Sequence, residues 1–297
     1  IPVGKLRRYF DLRNVIDPFN VVAGFFKSLW LVARFKPDIL FSKGGYVSVP
    51  VTLAGWILRV PIVLHDSDAK PSLTTRLCGR FAQQICLGYK EALNHLSPAL
   101  QKKCVITGIP LRREIFEGNK EDGYKMTGFT LKRPVVLVMG GSLGSEKINH
   151  VVEEALPELV KIAQVVHLTG AKVLKDVTLT SRKSPSPMST LSTTACPPWR
   201  DYGLRTFPSV PNEKLPHLYA IADVVVTRAG ANSLAELCAL NKKMVVIPLG
   251  SGASHGDQLA NAAILEREKT AIVLEESGLT ATHLMDTLKK FFTTHKA

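Results

Sequence analysis

The sequence predicts an α/β protein in two halves, each a parallel sheet covered by helices on both faces. Ten short apolar, β-branched runs alternate with amphipathic stretches along the 297 residues. Continuous rather than alternating hydrophobicity marks strands buried on both sides. A polar, glycine-bearing stretch, EGNKEDGYKMTGFTLKR (117–133), separates four of these runs from the other six. The chain also exceeds the roughly 250 residues at which a single core stops growing. The expected organisation is a first domain over 1–120, a linker over 121–133 and a second domain over 134–297, interrupted by a disordered Ser/Pro-rich insertion at 181–198.

In the first half, PDILFS (37–42), VPIVLH (60–65), QQICLGY (83–89) and KCVITG (103–108) read as strands, with VPVTLAGWILR (49–59) and LTTRLCGRFA (73–82) as helices. In the second half the strands are PVVLVMG (134–140), AQVVHLTG (163–170), a weak GLRTFPSV (203–210), ADVVVTR (222–228), KMVVIPL (243–249) and AIVLEE (271–276). Helices are expected over 145–161, 214–221, 232–240, 257–267 and 280–294. Strand–helix alternation of this kind gives parallel sheets.

Composition narrows the function classes. With 45% hydrophobic and 21% charged residues the chain is a folded protein. Its five cysteines (Cys78, Cys86, Cys104, Cys196, Cys238) make no CxxC pair, which points to a reducing compartment and away from structural zinc. The formal charge of +13 is uneven: residues 1–120 carry 18 Lys and Arg against 8 Asp and Glu. A basic first half calls for an anionic partner, namely a nucleic acid, an acidic membrane surface or a phosphorylated substrate. No aromatic-and-basic motif accompanies the charge, so nucleic acid is not expected. The longest apolar stretch, Tyr46 to Leu58, is short of a bilayer span and holds Pro50 and Gly55. The start, IPVGKLRRYF, lacks both an initiator Met and the apolar core of a signal peptide, and reads as the middle of a loop.

Six stretches could carry chemistry. MGGSLGS (139–145) turns from a strand into a helix, and its glycines let a ligand approach backbone amides, with Ser142 offering a hydroxyl. It is neither a Walker A loop nor GxGxxG, and such a turn also serves tight packing alone. TRAGANSLAEL (227–237) repeats the strand–glycine–helix pattern. Ser233 and Glu236 fit an S-x-x-E capping box. Alternatively, the amides at 231–233 hold a diphosphate while the two oxygens of Glu236 accept from a vicinal diol. In GASHGDQLANA (252–262), Gln258 and Asn261 are three apart and share a helical face, so they could grip a sugar; Asp257 at the helix start is also explained by the helix dipole. In the first half, SKGGYVSVP (42–50) and VLHDSDAKPS (63–72) place Tyr46, His65, Asp66 and Asp68 beyond strand ends, where ligands bind in parallel sheets, although a lone buried histidine is commonly structural. Arg112 in TGIPLRRE (107–114) is a candidate anion partner.

Together, KPDILFSKGGYVSVP, VPIVLHDSDA, TGIPLR, VMGGSLGS, ADVVVTRAGANSLAEL and HGDQLANA resemble, in that order, the MurG-type UDP-N-acetylglucosamine transferases that complete lipid II in bacterial cell-wall synthesis. The resemblance implies the GT-B architecture, two Rossmann-like domains facing a cleft, and a hexosyltransferase that uses no metal and no cofactor. It implies that Ala231, Asn232, Ser233, Leu234, Ala235 and Glu236, with Ser142 and Arg112, hold the UDP diphosphate and ribose. Gln258 and Asn261 would read the N-acetylglucosamine, the segment Phe207–Pro211 would meet the uracil, and Tyr46, His65 and Asp68 would line the acceptor side. The reaction implied is an inverting transfer in which the 4-hydroxyl of the muramoyl sugar of lipid I attacks C1 of UDP-N-acetylglucosamine. The implied setting is peripheral, on the cytoplasmic face of the plasma membrane, with VVAGFFKSLWLVARF (21–35) and the basic first half against anionic lipid. This chain departs from the family pattern in carrying Asp68 where Asn is usual. It also lacks a GGTGGH-like loop and the family's last helices, so the first domain is expected to be incomplete and the general-base histidine to lie before Ile1. Two alternatives remain open at this point: a catalytically inactive UDP-sugar-binding fragment, and another GT-B enzyme such as a diacylglycerol glycosyltransferase or a UDP-sugar epimerase.

Overall fold

The computed structural model describes residues 13–141, 144–170, 203–250 and 256–293. The Ser/Pro-rich insertion at 181–198 lies outside them. The chain divides into two compact units, one ending at Pro110 and the other beginning at Leu111.

The first unit runs α1 (Arg13–Phe35), β1 (Leu40–Ser42), α2 (Ser48–Ile57), β2 (Ile62–Asp66), α3 (Leu73–Cys78), β3 (Gln84–Leu87), α4 (Pro98–Gln101) and β4 (Cys104–Ile106). Its strands pair in parallel in the order β1-β2-β3-β4. Ile62, Leu64, Ile85 and Leu87 alternate towards a core closed by Cys78, Ala82, Leu96 and Leu100. The sequence reading did not identify α1 as a helix. Its buried stripe is Gly24, Ser28 and Val32, small residues that let it pack on α2. Val22, Phe26 and Trp30 sit two residues out of phase, about 200° around the helix, and are exposed. With small residues on the packed side and large apolar ones on the exposed side, the apolar stripe does not mark the buried face.

The second unit runs α5 (Lys120–Thr127), β5 (Val135–Met139), α6 (Glu146–Ile162), β6 (Gln164–Leu168), β7 (Leu204–Phe207), α7 (Leu215–Ile221), β8 (Val224–Thr227), α8 (Ala231–Ala239), β9 (Lys243–Val246), α9 (Asp257–Arg267), β10 (Ala271–Val273) and α10 (Ala281–Thr293). All pairings are parallel, in the order β10-β9-β8-β5-β6-β7. The fully buried β5 serves two cores. Val136 and Val138 pack with α6 and α10, whereas Val135, Leu137 and Met139 pack with α7 and α8. Each unit is therefore a parallel, Rossmann-like α/β domain.

Residues 111–133 fold with the second unit, where the sequence reading placed a first-domain tail and a linker. Ile115 is buried, and α5 packs on α7. Gly123 is a packing glycine there: a Cβ on it would lie 2.4 Å from the His217 carbonyl oxygen. A polar, glycine-bearing segment resembles a linker, yet here the glycine is what lets one helix lie close upon another.

Candidate functional site

In open parallel sheets, ligands bind beyond the carboxyl ends of the strands where strand order reverses. In the second unit that reversal falls between the adjacent strands β5 and β8, with Met139 opposite Thr227. The turns leaving these two strands are the glycine-rich stretches singled out in the sequence. In the turn after β5, Gly144 has φ +81°, and a Cβ on it would lie 2.2 Å from the Thr169 carbonyl oxygen, so only glycine seats this turn against the end of β6. Ser145 caps α6 by accepting from the Ile148 amide at 3.3 Å. Ser142, the expected hydroxyl of this turn, lies outside the described residues.

One helical turn on, Asn149 braces the same corner. Its Nδ2 donates to the Thr169 carbonyl at 2.9 Å, and its Oδ1 accepts from Nε2 of the buried His167 at 2.9 Å. An amide oxygen has no proton to give, so His167 is the Nε2–H tautomer. Burial lowers its pKa to about 4. The folded value lies below the unfolded value of about 6.5, so this contribution to stability is complete above pH 6.5 and is lost as pH falls towards 4. Stability should therefore drop by about 1.4 kcal/mol per pH unit over that interval from this group alone. In thermal melts between pH 7.5 and 4.5, His167→Gln should show a shallower acid limb than the parent chain.

After β8 the chain reads Arg228-Ala229-Gly230. Arg228 is buried and wholly engaged inside the unit. Its Nη2 donates to Ser145 Oγ at 2.6 Å and ion-pairs with Glu276, while Nη1 donates to the Ile247 carbonyl at 3.2 Å. This cation clips together the turns after β5, β8 and β9. Gly230 is the N-cap of α8, and no side chain caps it. Leu234 makes the first return bond, to the Gly230 carbonyl at 3.0 Å. The amides of 231–233 thus form a positively polarised, uncapped helix start.

The capping box does not form, because Ser233 lies inside α8 and Glu236 points its carboxylate elsewhere. Glu236 Oε1 accepts from Arg112 Nη2 at 3.1 Å, and Oε2 accepts from the Tyr219 hydroxyl at 3.1 Å. The structure thus brings together the two charged residues expected at the nucleotide, paired with each other. It adds Tyr219, which the sequence reading missed. The signal was present, since a tyrosine on a buried helix needs a partner for its hydroxyl. Asn232 is exposed, Ser233 and Ala235 are half-buried, and Ala231 and Leu234 are core.

The pair expected on one face of α9 divides in role. Asn261 is fully buried and donates to the Ala229 carbonyl at 3.1 Å, bracing the turn before α8. Gln258 is half-buried; its Oε1 accepts from the Leu249 amide at 3.0 Å, which directs its amide group to the loop after β9. In the first unit, His65 is likewise buried, with Nε2 donating to the Gly108 carbonyl at 3.0 Å, and so it ties β2 to the loop after β4. Asp66 anchors its own loop by accepting from the Ser72 amide at 2.9 Å and the Thr75 hydroxyl at 2.6 Å. Tyr46 is exposed and Asp68 half-buried, both beyond strand ends. Among the described residues no group of three His, Cys, Asp or Glu side chains has the geometry of a metal site.

Residues 135–297 match the glycosyltransferase family 28 C-terminal domain and residues 1–87 match its N-terminal domain. The chain belongs to glycosyltransferase family 28. Among family 28 relatives is a UDP-N-acetylglucosamine--N-acetylmuramyl-(pentapeptide) pyrophosphoryl-undecaprenol N-acetylglucosamine transferase 2 of Bacillus cereus. It is 44% identical over 285 residues, which cover 96% of this chain and 74% of the relative. Among solved structures, Acinetobacter baumannii MurG superposes with a TM-score of 0.62 at 22% identity, covering 94% of this chain and 70% of that one. S. aureus MnaA, solved with UDP, superposes with a TM-score of 0.61 at 13% identity, covering 96% and 74%. Both share the fold of this family 28 chain, two Rossmann-like domains of the GT-B kind.

Proposed function

We propose that the chain transfers N-acetylglucosamine from UDP-N-acetylglucosamine to the muramoyl 4-hydroxyl of the undecaprenyl-linked acceptor, the step that makes lipid II. One observation carries the reading. At the strand-order reversal of the second unit, an uncapped helix start, Arg112 and the paired oxygens of Glu236 occupy one corner. Amides and a guanidinium suit a diphosphate whose charge grows as it leaves, and a carboxylate suits a ribose diol. The 44% identity to the Bacillus cereus transferase supports the same donor and acceptor.

The first unit supplies the lipid side of the proposal. Tyr46 and Asp68 are the residues offered to the acceptor. On the outer face of α1, Val22, Phe26 and Trp30 are exposed beside Lys27 and Arg34, and on the adjoining α2 Trp56 is exposed as well. Aromatic and aliphatic side chains rimmed by cations suit an anionic lipid interface, so the enzyme is proposed to work peripherally at the cytoplasmic membrane face. No helix among the described residues is long and apolar enough to cross a bilayer.

The test is transfer of radiolabelled sugar from UDP-N-acetylglucosamine to a lipid I analogue. It should be run on this chain and on a chimera that adds the part of the Bacillus cereus relative left unmatched. Turnover with lipid I and none with diacylglycerol is the expected result. UDP binding without turnover in either form would leave only a donor-binding module, and absence of both would remove the donor reading altogether.

A further inference from the structure

The geometry points to Tyr219 as the positioning residue that fixes the Glu236 carboxylate for a vicinal diol. Selectivity for ribose over deoxyribose nucleotides would then rest on a side chain that never touches the ligand. The inference rests on the donor site proposed above and adds a division of labour between the two partners of Glu236.

The two bonds to the carboxylate differ in kind. Tyr219 is 1% exposed and belongs to the core formed with Leu218, Leu234 and Leu237, so its hydroxyl is held by the packing of α7 against α8. Burial, and then the charge of Glu236, push the phenol pKa upward, which keeps it a proton donor to Oε2. Arg112 is the other case. Its side chain is 39% exposed, against 13% for Glu236, and it stands at the start of the short turn Arg113–Glu117. A flexible, half-solvated guanidinium is exchangeable; a phenol locked in a core is not. When a nucleoside diphosphate arrives, Arg112 can pass to the phosphates and leave Oε1 to accept from the ribose. Tyr219 keeps Oε2 and with it the plane of the carboxylate. Without that hydroxyl the carboxylate would follow Arg112, and the acceptor oxygen would lose its fixed direction.

The test uses calorimetry with UDP and 2′-deoxy-UDP on the full chain, with thermal melts of every variant. A hydrogen bond to a charged group sets the parent preference for UDP at roughly tenfold or more. Tyr219→Phe should fold, bind both nucleotides and reduce that preference to about threefold or less. Arg112→Ala should weaken both nucleotides together, weaken UDP more than UMP, and keep the preference. A merely structural tyrosine would weaken UDP and 2′-deoxy-UDP equally, so a retained preference in Tyr219→Phe overturns the inference. Failure of Tyr219→Phe to fold would assign the hydroxyl to stability and overturn it too, as would loss of the preference in Arg112→Ala. A parent chain that binds no UDP is a different failure, because it removes the donor site itself.

Discussion

Arg228→Met is expected to lower the melting temperature of the second unit by roughly 6–12 °C, the equivalent of about 3 kcal/mol. The methionine fills the volume of the arginine stem but donates nothing. Ser145 Oγ and the Ile247 carbonyl would each lose a bond inside the protein, and Glu276 would lose its counter-ion. Ser145 is 7% exposed, so its loss is not made good by water, whereas Glu276 at 26% can rehydrate in part. The figure therefore lies at the lower end of the range for breaking a buried ion pair, about 3–5 kcal/mol. Thermal melts decide it. A change of under 2 °C would show that the three turns are held by their packing and that the Arg228 bonds add little.

Glu236→Ala is expected to weaken UDP binding by roughly 10- to 100-fold, the worth of charge-assisted hydrogen bonds lost from a part-buried site. The same change orphans the Tyr219 hydroxyl, at a cost of about 1–3 kcal/mol in stability, so a fall in melting temperature alone says nothing about the ligand. Glu236→Gln separates the effects. A glutamine oxygen still accepts from Tyr219, so this variant should melt close to the parent while binding UDP about tenfold more weakly. Calorimetry on both variants is the measurement. Unchanged affinity in Glu236→Gln together with a normal melt would return Glu236 to a structural role.

Much of the fold was legible because buried parallel strands announce themselves. Each of the ten predicted strands is present, from Leu40–Ser42 to Ala271–Val273, since uninterrupted β-branched runs have few other stable fates. The observed strands end earlier than the apolar runs: KMVVIPL pairs only as far as Val246, and the remainder forms the turn that Arg228 and Gln258 hold. The miss at α1 came from its outward stripe of Val22, Phe26 and Trp30, a pattern that packing among the described residues does not explain. The miss at 121–133 came from Gly123, whose absent side chain matters only because another helix lies against it.

What the sequence determined by itself was the kind of domain and the stretches in which polar groups leave the strands: MGGSLGS, TRAGANSLAEL and GASHGDQLANA. What it left undetermined was which of those polar groups face inward. Asn261 and His65, both named as candidates from the sequence, each bond a carbonyl of their own unit, and Arg228, which no motif singled out, bonds a carbonyl, a hydroxyl and a carboxylate. Glu236, which read equally well as a helix cap, is instead held between Arg112 and Tyr219. The reason is geometric. A polar residue at a strand end must satisfy its hydrogen bonds with whatever the fold brings within about 3 Å, and those neighbours are distant in sequence. Glu236 is 124 positions from Arg112, a separation no local pattern can bridge.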